Sequence, residues 1–258
     1  MTIYAPPTYA PPFTDLAHLT GALRTAGYAL LSPPDVCALA GCALAELDAL
    51  AASWNALAPD AYLKDGGHYR RRRHSCFIDD GAQLTQTAHR AHWQPIEYNA
   101  LHGGMHRLFE PIEPATLAHP VFARLVRALS SACRRVKGPQ SRDIENVEPW
   151  FVEAHQFRID TLGGIGRPTP EGAHRDGVDF VAVLLVGRSN VKGGETRVFD
   201  ADGPDGKRFT LLEPWTLLLL DDARVIHEST PIQPLGENGH RDTLVLTWRA
   251  KAFQGEDA

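Results

Sequence analysis

From Trp150 to Trp248 the apolar residues alternate with a period of two, and no segment there keeps the three-and-four spacing of an amphipathic helix. Candidate strands are Trp150 to Ile159, Ala173 to Val186, Glu195 to Asp200, Arg208 to Leu212, Thr216 to Leu220, Arg224 to Ser229 and Arg241 to Arg249. Loops rich in Gly, Pro, Asn and Asp separate them, as at Gly163-Gly164, Asn190 to Gly194, Gly203 to Gly206 and Asp221-Asp222. Parallel strands need long crossovers, usually helical, and none is available here. The pattern therefore excludes a βαβ sheet and predicts an antiparallel jelly roll or sandwich.

Helical patterning is confined to the first half. Tyr-Ala-Pro-Pro repeats at Tyr4 and Tyr9, which predicts an extended arm over residues 1–14. Leu16, Leu19 and Leu23 predict a helix over Asp15 to Ala26, stopped by Gly27, with a short strand at Tyr28 to Leu31. Asp35 is the expected cap of a longer helix to Leu57, carrying Val36, Leu39, Ala43, Leu47, Leu50 and Trp54. A strand is expected from His68 to Ile78, and a turn at Gly103-Gly104. Phe122, Leu125, Val126, Leu129 and Cys133 share one face of a helix from Pro120 to Val136, ended by Gly138-Pro139. The expectation is an α+β chain: one domain over 15–250, with helices and supporting strands in 15–149, a β core in 150–250 and a tail at 251–258.

Composition limits the partners. The 258 residues carry a net charge of −5, whereas phosphate-backbone binding is built on excess Lys and Arg, so no nucleic-acid partner is expected. No run approaches the roughly 20 apolar residues of a membrane helix, and the N-terminus lacks the basic flank of a secretory signal. Cys37, Cys42, Cys76 and Cys133 have neither zinc-ribbon nor CxxC spacing, which suggests a cytoplasmic chain. Histidine occurs 12 times, and it is both a common metal ligand and a proton carrier near neutral pH.

Residues two apart on a strand share a face, so His174 and Asp176 of His174-Arg175-Asp176 can converge on one point. The tripeptide recurs as His240-Arg241-Asp242, but only the first copy is followed by a further histidine on a later strand, His227. Two histidines and one carboxylate on a small barrel match the facial triad of non-haem Fe(II) sites, which leaves open positions for small ligands. Arg241, with Thr243 on the same strand face, offers a bidentate fork and a hydroxyl to the far carboxylate of 2-oxoglutarate. The spacing is equally compatible with capping or core histidines and a surface ion pair at Arg241. A kinase reading of His-Arg-Asp fails, because Val181 stands where Asn is required.

These residues resemble the Fe(II)/2-oxoglutarate-dependent dioxygenases, specifically the bacterial group that hydroxylates free L-amino acids and includes L-isoleucine 4-hydroxylase. The resemblance is carried by His155 to Arg158, Pro168 to Phe180, Asn190, Gly193 to Thr196, Leu219 to Asp222, His227, Thr230 to Ile232 and Arg241-Asp242. Asp60 to Leu63, Tyr69 to Arg73 and Asn99 to Arg107 extend it upstream. It implies a double-stranded β-helix (jelly roll, cupin-like), iron held by His174, Asp176 and His227, and 2-oxoglutarate held by Arg241. Fe(II), 2-oxoglutarate and O2 are then the expected cofactors. Ala173, where the group usually has a branched aliphatic, departs from the pattern without removing a ligand.

An amino acid substrate needs a cation for its carboxylate and an anion or carbonyl for its ammonium group. Candidates are Arg158 and Gln156, one arginine pair of the run Arg70 to Arg73 with Arg71 chosen as its representative, and Asp179 or Glu153 for the ammonium end. The arginine run also reads as a solvated strand face, and the acidic groups as salt-bridge partners. Glu153-Ala154-His155 lacks a well-placed third ligand, and His68, His89, His92, His102 and His106 read as loop or surface groups. A non-catalytic cupin-like binding module is the competing reading; it would have no need of a dicarboxylate anchor at Arg241.

Overall fold

The computed structural model describes residues 8–138 and 147–255. Five α-helices are described: α1 (Leu19–Ala26), α2 (Pro33–Ala40), α3 (Leu44–Ala51), α4 (Pro114–Leu117) and α5 (Pro120–Lys137). The strands are β1 (Tyr28–Leu31), β2 (Arg70–Asp79), β3 (Leu84–Gln86), β4 (Trp150–Asp160), β5 (Phe180–Ser189), β6 (Val191–Gly193), β7 (Glu195–Asp200), β8 (Gly206–Thr210), β9 (Leu217–Asp221), β10 (Val225–Ser229), β11 (Ile232–Pro234) and β12 (His240–Ala250). They form a seven-stranded sheet in the order β1-β9-β5-β12-β4-β2-β3, a three-stranded sheet β10-β7-β8 and a pair β11-β6. Every described pairing is antiparallel, as the absence of crossover helices requires, and the whole is a jelly roll with packing helices.

Strand alternation divides the large sheet into two faces. Ala182 and Leu184 of β5, Val152 and Ala154 of β4, and Leu244, Leu246 and Trp248 of β12 pack against the helices, where α5 contributes Phe122, Leu125, Val126, Leu129 and Cys133. The opposite face turns toward the small sheets, with Val181, Leu185, Leu218 and Leu220 meeting Val198, Phe209 and Val225. Each strand residue thus belongs either to the helix layer or to the space between the sheets, and the site lies in that space.

Several expected elements differ in detail. The helix expected from Asp35 to Leu57 is broken, because Gly41 takes φ 61° and ends α2, while α3 restarts with Glu46 accepting the Ala43 N–H at 2.9 Å. Its cap is Ser32, whose hydroxyl accepts from Asp35 N, with Pro33 in the first turn. The strand expected from Ala173 begins only at Phe180, and residues 173–179 form a loop joined to β10 by an isolated His174–His227 bridge. Short strands β3, β6 and β11 carry too few residues to display a period.

The first seven residues of the expected arm and Pro139 lie outside the described residues; the arm's remainder docks through Tyr9, whose carbonyl accepts from Thr210 N at 2.9 Å. The segment 251–258 is not wholly a tail, since Phe253 and Gln254 are buried. Among the described residues no single helix is long and apolar enough to cross a membrane.

Candidate metal and carboxylate site

His174 and His227 approach through the bridge between their backbones, with N–H···O distances of 3.0 and 2.9 Å. His174 Nδ1–H donates to Gly172 O at 3.1 Å, which fixes its tautomer and turns Nε2 toward Asp176. Asp176 then lies between the two rings: its Oδ1 is 3.7 Å from His174 Nε2 and its Oδ2 is 3.7 Å from His227 Nε2. The convergence comes from loop geometry rather than from strand alternation.

That loop is held from several sides. Asp222, given no role of its own in the sequence reading, is buried and accepts from the backbone N–H groups of Asp176 (3.0 Å), Gly177 (2.8 Å) and Val178 (3.1 Å). Burial, reinforced by the Asp176 charge, pushes the Asp222 carboxyl up to about 7 against those three donors. Gln254 donates to the Asp176 and Gly177 carbonyls, both at 2.8 Å. Gln94 Nε2 donates to Asp176 Oδ1 at 2.9 Å, and its own carbonyl accepts from Asn99 and Arg107, each at 3.2 Å. Gly177 has φ 75°, and a Cβ there would lie 2.4 Å from the Tyr98 ring.

The electrostatics are those of a cation site. Burial disfavours charge on His174, yet Asp176 and Glu171 outweigh it and push the imidazole up to about 9. Burial and the neighbouring His174 bring His227 down to about 4. Asp176 is buried, but the two histidines hold its carboxylate below the usual range. Three donors of this hardness on one face, each fixed by a second hydrogen bond or a bridge, fit Fe(II).

The same cavity receives inward-facing residues of the large sheet. Arg241 and Thr243 of β12 both line it. Arg241 is 3% exposed, and its Nε and Nη2 have no partner among the described residues. Burial, with Arg188 nearby, lowers this guanidinium to about 10, so it stays charged near neutral pH. A buried charged fork with two free N–H groups is suited to a carboxylate.

The expected substrate residues are placed otherwise. Arg158 and Gln156 sit at alternate positions of β4 that turn away from the cavity: Arg158 pairs with Asp242, its cross-strand neighbour, at 2.7 Å, and Gln156 donates to Ser53. Arg71 faces Asp160 at 3.6 Å and is part-exposed, and Asp179 pairs with Lys137. None of these four lines the cavity. The alternation of β2 turns Arg70 and Arg72 inward instead, where the former donates to Asp60 at 2.7 Å and the latter to His155 Nδ1 at 2.8 Å. Arg72 is clamped between the rings of Phe109 and Phe157, 3.8 and 4.4 Å from its Cζ.

The histidines read as loop or surface groups divide as well. His92 and His102 are buried, and His92 lines the cavity with His155 and Glu153. His74, His92 and His155 surround Glu153 Oε2 at 3.0, 2.6 and 3.5 Å. These four could by spacing hold a metal. Arg72 can only donate, however, so His155 Nδ1 accepts and its proton lies on Nε2, facing Glu153. The group is a hydrogen-bonded cage around an ionised carboxylate, which the surrounding imidazoles hold well below the ordinary range despite its burial. Sequence periodicity gave no sign of Gln94, Arg107, Asp222 or Gln254, because each is a polar residue buried from a loop or chain end.

The 2OG-Fe dioxygenase family profile matches residues 51–247. A crystal structure of a bsmA homolog from Methylobium petroleophilum PM1 is 52% identical, with 95% of this chain and 97% of that one covered and a TM-score of 0.88. IDO from Bacillus thuringiensis shares the fold at 18% identity and a TM-score of 0.73, over 94% and 98% of the two chains. The Fe(II)/alpha-ketoglutarate-dependent dioxygenase TqaL does so at 21% identity and 0.68, over 92% and 90%. No curated protein matches the chain. With its His-His-Asp iron site in a jelly roll, the chain belongs to the 2OG-Fe dioxygenase family.

Proposed function

We propose that this enzyme hydroxylates an unactivated C–H bond of a free L-amino acid. The observation that carries this reading is a cavity with two separate cationic stations. Arg241 stands on β12 and Arg70 on β2, in one row with Ile159 of β4 between them. Two strand spacings put about 10 Å between the backbones of that row. One station suits the far carboxylate of 2-oxoglutarate. The other offers unpartnered N–H atoms on Arg70 (Nη2), Arg72 (Nε) and Arg107 (Nε), all buried, and suits the carboxylate of a second small molecule.

Fe(II), 2-oxoglutarate and O2, when bound, supply oxidative decarboxylation to succinate and CO2 coupled to hydroxylation. The protein's part is binding and aim. His174, Asp176 and His227 hold the metal, and Gln94 and Gln254 fix the carboxylate ligand and its backbone. Arg241 and Thr243 orient the cosubstrate, while Phe157 and Ile159 give the cavity an apolar floor for the substrate's carbon skeleton. The burial of these groups excludes water from the reacting bond. The free thiols of Cys37, Cys42 and Cys133 are in keeping with a cytoplasmic enzyme.

The test is succinate formation from 2-oxoglutarate and Fe(II) with a panel of amino acids, and mass spectrometry of the products. The expected result is stimulation by one class of amino acid, with a gain of one oxygen atom in it. A binding module would give no succinate under any condition.

A further inference from the structure

We propose that His92 and Arg107 together read the head group of an α-amino acid, with His92 accepting an N–H of the protonated amine and Arg107 donating to the carboxylate. This inference rests on the amino acid reading above and deepens it.

The two residues are paired by their backbones: His92 N donates to Arg107 O at 3.0 Å and Arg107 N to His92 O at 2.9 Å. Residues opposed in this way lie about 5.5 Å apart at Cα, and both side chains line the cavity. Arg107 is 2% exposed; its Nη2 is spent on Gln94, while its Nε has no partner among the described residues. It supplies a free donor for an anion.

His92 supplies the complementary acceptor, because its proton is held elsewhere. Glu153 is ionised and can only accept, so the 2.6 Å contact of its Oε2 with His92 Nδ1 places the proton on Nδ1. Nε2 is left with a lone pair, and it makes no hydrogen bond to the described residues. His74 donates to the same oxygen and His155 Nε2 lies 3.5 Å from it, which keeps Glu153 in place, with Arg72 fixing the tautomer of His155. Burial lowers His92 to about 4, against the pull of Glu153, so the ring remains a neutral acceptor near neutral pH. A lone-pair acceptor beside a guanidinium donor matches an ammonium and a carboxylate attached to one carbon. Glu171 adds negative charge on the same side: its Oε2 is buried without a partner, and its charge is felt by Arg107. Glu153 is in this scheme a positioning residue and does not touch the substrate.

The test compares the amino acid identified by the panel with the carboxylic acid of the same skeleton lacking the amine. Wild-type enzyme is expected to prefer the amino acid by about a hundredfold or more in kcat/KM, since a site built around an N–H donor rejects an analogue without it. His92→Ala is expected to raise KM for the amino acid about tenfold or more and to collapse that preference, with kcat changed less than KM. Glu153→Gln is expected to weaken the preference in the same direction. Comparing the two substrates within each variant separates head-group reading from a general loss of folding. Equal losses for both substrates, or an unchanged KM in His92→Ala, would overturn the role of His92 while leaving amino acid turnover standing. If no amino acid raises succinate above the substrate-free rate, the amino acid reading falls and this inference falls with it.

Discussion

Arg241 holds two N–H groups in a buried place where nothing among the described residues answers them. A hydrogen bond to a charged group contributes about 1.5–3 kcal/mol. Arg241→Ala should therefore raise the KM for 2-oxoglutarate about tenfold to a hundredfold, and steady-state kinetics at saturating primary substrate measure it. The arginine run shows how far a residue can be read before folding. Alternation divides Arg70 and Arg72 from Arg71 and Arg73, and that division holds in β2. Which pair faces the cavity depended on strand register, and the inward pair is Arg70 and Arg72. Arg73 is spent outside it, on the Pro111 and Ala56 carbonyls and Glu110. The same parity removes Arg158 and Gln156 from the site and puts His155 and Phe157 into it.

At the scale of elements, the segment 173–179 is decisive. It carries two of the three ligands in a loop, and the carboxylate of Asp222 and the amide of Gln254 replace the hydrogen bonds a strand would have made. Gly177 lets Tyr98 close over it. Gly177→Ala combines a strained φ with a clash against that ring, so iron affinity should fall about 10 to 100-fold, the range seen when supporting groups of a metal site are disturbed. Metal per chain after dialysis against a weak chelator measures it. Between α2 and α3, Gly41 has φ 61° with open space around it. Gly41→Ala should cost about 1 kcal/mol through backbone strain alone, read from denaturant unfolding, and should leave the kinetics in place.

For the whole molecule, the buried histidines in and behind the cavity wall carry a cost that pH exposes. Burial lowers both His92 and His102 to about 4, with Arg70 and Arg107 adding to the effect at His102. In an unfolded chain both would titrate near 6.5. Between these values the unfolded state binds protons that the folded state refuses, so stability rises with pH across that window and is lost as pH falls through it. The Tm should drop by several degrees from about pH 6.5 to pH 4, and His102→Gln should flatten part of the slope in thermal melts. The sequence alone determined the antiparallel core, the α5 face and the candidates His174, Asp176, His227 and Arg241, because periodicity and the order of chemical groups are local properties. Tertiary structure alone decided which strand parity faces inward and which loops bury their polar groups. Loop residues such as His92, Gln94 and Asp222 acquire their roles from partners dozens of residues away, and no local pattern records such a pairing.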